Sequence, residues 1–121
     1  MAKLPMGELE AQVMDVLWDS GEWLIPGQVH EVLAATRPIA YTTVMTILVR
    51  LWEKDRLDRR RVGKANAYFP KATREEHAAA RMRDILESGG DHSAALTHFF
   101  QSLPPGDRAR LRRILGGRKN R

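Results

Sequence analysis

Apolar side chains along this chain recur mostly at helical intervals. Leu9, Val13, Val16 and Leu17 lie at i, i+4, i+7 and i+8, so residues 7–20 are expected to form an amphipathic helix. Gly21 follows, where a left-handed cap falls. Trp23-Leu24-Ile25 is a short extended apolar stretch. Pro26 suits the first turn of a second helix, because its missing N–H would have no partner there. Val29, Val32 and Leu33 give that helix one buried stripe, and it ends before Arg37-Pro38, since proline disfavours helix in the residue before it. A third helix runs from Tyr41 or Thr42 to Lys54, with Val44, Ile47, Leu48 and Leu51 on one narrow face.

The other side of this third helix is unlike an ordinary solvent face. Successive side chains turn by about 100°, so Thr42, Met45, Thr46 and Val49 point away from the stripe, with Thr43 and Arg50 on its borders. Threonines and small apolar groups stand where Glu and Lys would supply solubility and helix propensity. Selection for something other than local stability is implied.

Between Leu57 and Pro70 the pattern changes to extended segments around Gly63, Lys64 and Asn66, which carry turn chemistry: a hairpin of 14 residues. Leu57 and Tyr68 suit an inward position; Arg60 and Lys64 suit an outward one, with Arg59 or Arg61 beside them. Pro70 closes the second strand as an edge. Thr73-Arg-Glu-Glu76 is a capping box opening a fourth helix to about Glu87, which Ser88-Gly-Gly-Asp91 breaks. Leu96, Phe99, Phe100 and Leu103 mark a fifth helix, ended by Pro104-Pro-Gly-Asp107. Leu111, Ile114 and Leu115 mark a sixth, which Gly116-Gly117 ends. Arg118 to Arg121 form a frayed basic tail.

Composition bounds the function. With 121 residues, 43% of them hydrophobic and 29% charged, the chain is a folded soluble protein. No apolar run is long enough to cross a bilayer and no signal core is present, so no membrane insertion and a cytoplasmic location are expected. The absence of cysteine removes disulfides, thiol catalysis and thiolate metal sites together. His30, His77, His92 and His98 are scattered, no serine has a nucleophile-elbow context, and no glycine-rich phosphate loop follows a strand. The expectation is no enzyme, no cofactor and no metal; His92 and His98 are the one histidine pair to watch.

The formal net charge is +5, but its distribution matters more. Residues 1–40 carry 2 basic and 6 acidic side chains, and residues 41–72 carry 8 and 3. Residues 73–105 carry 3 and 5, and residues 106–121 carry 7 and 1. Two basic islands on a scaffold otherwise balanced or acidic suit a protein that grips phosphates in one orientation.

Helix, short strand, helix, turn, helix and basic hairpin is the winged helix-turn-helix order. The fold class is therefore mainly α with a small β-hairpin: a DNA-binding domain over 1–71 and a helical region over 72–121. Double-stranded operator DNA would meet the third helix in its major groove, with Thr42, Thr43, Met45, Thr46 and Arg50 toward the bases and backbone. Arg59, Arg60, Arg61 and Lys64 of the hairpin would add the salt-dependent, sequence-independent share of affinity. Residues 73–121 hold ten large apolar side chains, too few for an independent core in three short helices. Burial between two intertwined chains would make this half a homodimerisation arm using Ile85, Leu86, Leu96, Phe99 and Phe100, together with Leu103, Leu111, Ile114 and Leu115. The alternative is that these helices fold back on the winged domain. For the whole chain, the alternative to a sequence-specific regulator is an architectural protein that coats nucleic acid without reading it.

The stretch Tyr41-Thr-Thr-Val-Met-Thr-Ile-Leu-Val-Arg-Leu51 resembles the penicillinase-repressor (BlaI/MecI) family. Gly63-Lys64-Ala65, Tyr68-Phe69-Pro70 and the opening Leu9-Glu10, Val13-Met14 and Leu17-Trp18 extend the likeness from about residue 4 to residue 115. The resemblance implies a dimeric repressor at pseudo-palindromic promoter operators of β-lactamase or cell-wall stress genes. Three departures stand out. Asp55 occupies a position where the family usually has Gly, implying a differently built helix cap. Copper response through a cysteine-rich tail is closed to this chain. Some relatives are inactivated by cleavage at an Asn-Phe bond once a membrane β-lactam sensor pathway fires; the matching bond here is His98-Phe99, without the Asn.

Overall fold

A computed structural model of the chain describes residues 6–117, leaving the basic tail from Arg118 to Arg121 outside the described residues. The chain divides into two compact units between His77 and Ala78. In the first unit the helical stripes read from the sequence become one core. Helix α1 spans Met6–Ser20, α2 Pro26–Ala34 and α3 Tyr41–Glu53. Val13 and Leu17 of α1, Val29 of α2, and Val44, Ile47, Leu48 and Leu51 of α3 meet there with no exposed surface. Met14 and Leu33 complete it, while Val32 is 53% exposed. The expected α2 stripe was one residue too wide, because Val32 turns away from the line joining Val29 and Leu33.

Strand β1 (Leu57–Val62) pairs antiparallel with β2 (Ala65–Pro70), from Leu57 opposite Pro70 to Val62 opposite Ala65. Gly63 and Lys64 are the only residues between the strands. Gly63 has φ +63° and Lys64 is not left-handed, the pattern of a type II′ turn, which places glycine first. Asn66 lies in β2 opposite Arg61, not in the turn: a two-residue connection needs no third turn residue. The extended stretch at Leu24 exchanges two backbone hydrogen bonds with Tyr68, of 3.1 and 2.8 Å, so β2 is paired on both sides at that point. Leu57 and Tyr68 close the core beneath the hairpin.

Two helices end on left-handed residues, and a third begins in a reciprocal cap. Gly21 ends α1 with φ +68°. Asp55 ends α3 with φ +66°, so the left-handed cap is kept without glycine. The Asp55 N–H donates to the Trp52 carbonyl (3.0 Å) and the Arg56 N–H to the Leu51 carbonyl (2.9 Å), the two bonds of a Schellman motif. Thr73 and Glu76 reciprocally cap the next helix, α4 (Arg74–Ser88): the Glu76 N–H donates to Thr73 Oγ1 (3.0 Å) and the Thr73 N–H to Glu76 Oε1 (2.9 Å). Around this cap, Trp18 Nε1–H donates to the Ala72 carbonyl (2.9 Å) and Arg74 bridges Asp15 and Asp19 (3.3 and 3.0 Å).

Helix α4 spans Arg74–Ser88, α5 His92–Ser102 and α6 Pro105–Gly117. The second unit contains α4 from Ala78 onward. Asp91 caps α5 by accepting from the Ala94 N–H (3.2 Å). Pro105-Gly106-Asp107, expected to be a break, is instead the first turn of α6, because proline at the first helical position loses no bond. Gly116 and Gly117 likewise fall inside the last turn of α6. Among the described residues of this unit, no side chain is buried. Ile85, Leu96, Phe99, Ile114 and Leu115 are between 43% and 67% exposed, and Leu86, Phe100, Leu103 and Leu111 are half-buried.

Candidate nucleic-acid interface

The four buried residues of α3 fix the rotation of that helix, and everything opposite them faces out. Thr42, Met45, Thr46 and Arg50 are exposed; Thr43 and Val49 are half-buried. Met45, Thr46, Val49, Arg50 and Glu53 line a shallow depression along this outer face. Its chemistry is methyl and thioether surface beside the Thr46 hydroxyl, the Arg50 guanidinium and the Glu53 carboxylate, groups that suit thymine methyls, phosphates and base-edge donors.

The start of α3 is held from α2. His30 Nε2–H donates to the Ile39 carbonyl at 2.8 Å, and its ring meets the Tyr41 ring edge-on, centroids 5.9 Å apart at 86°. Ala40 at the N-cap has no side-chain acceptor, so the Tyr41 and Thr42 N–H groups are left to water or to an anion, while the Thr43 N–H donates to the Ala40 carbonyl (3.1 Å).

The hairpin distributes its cations by strand alternation. Leu57, Arg59 and Arg61 share one face, opposite Pro70, Tyr68 and Asn66; Asp58, Arg60 and Val62 share the other. Arg59 lies flat over the indole of Trp52, with its guanidinium carbon 3.5 Å from the ring centre. Arg60 lies over Trp23 at 4.3 Å, and Trp23 stacks on Phe69 with centroids 5.4 Å apart. Arg61 and Lys64 are exposed.

Ion pairing separates structural cations from uncompensated ones. Lys54 pairs with Glu10, and Arg74 with Asp15 and Asp19. Lys71 sits between Asp58 (2.8 Å) and Asp55 (3.6 Å), which hold its amine above the usual lysine value. Among the described residues, Arg50, Arg59, Arg60, Arg61 and Lys64 form no ion pair. Five cations without an ion pair thus lie on the outer face of α3 and the hairpin; Arg37 and Arg56 elsewhere in this unit also form none.

The structure therefore gathers Thr42, Met45, Thr46 and Arg50 on one helical face, with Thr43 at its border and Arg61 and Lys64 on the hairpin. Arg60 is on the opposite hairpin face from Arg59 and is occupied by an indole. Reasoning from the sequence missed the pairing of Arg59 with Trp52. One signal was available: Trp52 is a large apolar side chain that falls outside the Val44–Leu51 stripe. Eight of the nine side chains assigned to a dimer interface lie in α4, α5 and α6, Leu103 is the C-cap of α5, and His98-Phe99 lies in the interior of α5. No helix among the described residues is long and apolar enough to cross a membrane.

Comparison with known proteins gives a concordant picture. The sequence profile of the penicillinase repressor family matches residues 6–117. The transcriptional regulator BlaI of Mycobacterium tuberculosis, in strains CDC 1551 / Oshkosh and ATCC 25618 / H37Rv, is 44% identical over 119 residues, covering 95% of this chain and 86% of that protein. The solution structure of the DNA binding domain of the repressor BlaI superimposes with a TM-score of 0.52 at 27% identity. That match covers 63% of this chain and 93% of the other.

Proposed function

The chain belongs to the penicillinase repressor family, and from that premise we propose that it works as a cytoplasmic homodimer binding pseudo-palindromic promoter operators. It is a DNA-binding transcriptional repressor and not an enzyme. The observation that carries the finer reading is the outer face of α3: Thr42, Met45, Thr46 and Arg50 beside a hairpin whose Arg61 and Lys64 have no acidic partner. The α3 face supplies base contacts, with Thr43 at its border, and the hairpin, Arg60 included, supplies phosphate contacts. The exposed apolar side chains of α4, α5 and α6 support the homodimer, since a second copy would remove them from water. Two-fold symmetry then sets two half-sites about one or more helical turns apart.

Operators of β-lactamase or cell-wall stress genes are the targets this reading favours. Derepression would follow scission of His98–Phe99 by a membrane β-lactam sensor pathway. Because that bond lies inside α5, the helix must open locally before a protease can seat it.

The test is a duplex selected from a random pool, compared with random DNA of equal length. Thr46→Ala should lower the ratio of selected to random affinity. Lys64→Ala should weaken both equally and reduce the slope of log K against log salt by about 0.9, one phosphate's worth. A ratio near one for the unaltered protein would favour the architectural reading and overturn the sequence-specific one.

A further inference from the structure

The hairpin carries three consecutive arginines, and the structure treats each one differently. Arg61 is exposed with no ring beneath it, Arg60 is exposed over Trp23 on one hairpin face, and Arg59 is half-buried over Trp52 on the other. Trp52 belongs to the last turn of α3. At about 100° per residue, it shares with Met45 the flank of the outer face of that helix. Arg59 is therefore the arginine held where the base-facing side of α3 meets the hairpin. The contact of 3.5 Å to the ring centre is closer than the 4.3 Å of the Arg60 pair. No carboxylate pairs with Arg59 among the described residues, and Trp52 is 38% exposed. The fold therefore brings an uncompensated guanidinium and a partly exposed indole together at the seam.

We propose that Arg59 contacts the DNA backbone phosphate flanking the bases that α3 faces, and that Trp52 is the positioning residue that holds it ready. This rests on the DNA-binding reading of α3 and deepens it. A guanidinium stacked on a ring satisfies its flat face and leaves its in-plane N–H donors free, the geometry a phosphate accepts. An unstacked arginine must be immobilised when DNA binds; a stacked one is largely immobile beforehand. Arg60 lies on the opposite hairpin face, exposed over Trp23, away from the seam with α3.

The experiment uses the full-length protein and a fluorescently labelled duplex, titrated over a range of salt concentrations, with each variant's melting temperature recorded. Arg59→Gln should weaken selected and random duplexes by the same factor and lower the salt slope by about 0.9. Trp52→Leu should weaken binding about two- to tenfold, and Trp52→Phe should recover part of that. In the Arg59→Gln background, Trp52→Leu should cost nothing further. An unchanged salt slope for Arg59→Gln would overturn the proposal, as would an equal cost of Trp52→Leu with and without Arg59. Should Trp52→Leu melt early, the same cycle is run with Trp52→Phe. If instead Arg50→Gln and Lys64→Ala also leave binding intact, the DNA-facing assignment of α3 fails as a whole, a result distinct from the failure of Arg59 alone.

Discussion

A single residue decides how α3 ends and where the hairpin begins. Asp55 sits at φ +66°, a conformation L side chains avoid, yet both Schellman bonds form around it. A left-handed non-glycine residue costs about 1–2 kcal/mol, somewhat less for Asp. Glycine there would give back about 0.5–1 kcal/mol through its freer unfolded chain. Asp55→Gly should therefore stabilise the protein by about 0.5 kcal/mol, read as a higher urea midpoint at unchanged slope. A lower midpoint would mean that the Asp55–Lys71 contact outweighs the backbone strain. At this scale the sequence was misleading: replacing the usual glycine suggested a different cap, and the tertiary fold simply imposes the conformation. Arg56 donates its N–H to Leu51 and accepts from Lys71 N–H at 3.0 Å, so the chain on both sides of the corner is already committed.

At the level of elements, caps and turns were the most legible features. The Thr73–Glu76 box makes both of its bonds, because the pattern is local and needs no distant partner. Thr73→Ala should cost about 0.5–2 kcal/mol of stability, seen as a lower thermal midpoint, with glutamine at position 76 expected to be milder. The stripe of α3 was legible for the same reason: four residues at helical spacing are all fully buried. Legibility failed where two elements meet. Arg59 and Trp52 belong to different elements, and their stacking follows from the corner at Asp55 and the strand register. Pro105 in the first turn of α6 was misread because proline both stops one helix and starts another.

Across the molecule, the buried core lies entirely between Val13 and Tyr68, while Leu96, Phe99, Ile114 and Leu115 of α5 and α6 are 43% to 62% exposed. In the proposed homodimer this surface would be the association face. Leu96, 50% exposed, tests it: Leu96→Asp should leave the fold intact, shift dimer to monomer in light scattering, and weaken operator binding. A variant that stays dimeric would remove Leu96 from the interface; a wild-type chain that is monomeric at high concentration would remove the interface itself. Weakened operator binding is expected because two linked half-sites bind with an avidity neither has alone.

The sequence by itself determined the helices, the hairpin, the rotation of α3 and the division of charge into two islands. Each depends on spacing between near neighbours, where helical and strand periodicity act directly. Which cations are free is settled by folding. Lys71 and Arg74 are neutralised by carboxylates, two of them, Asp15 and Asp19, far off along the chain from Arg74. Arg59 and Arg60 rest on indoles from two other segments, while Arg61 and Lys64 stay exposed. Charge counted along a chain cannot separate these cases, because pairing is set by distances that exist only once the chain has folded.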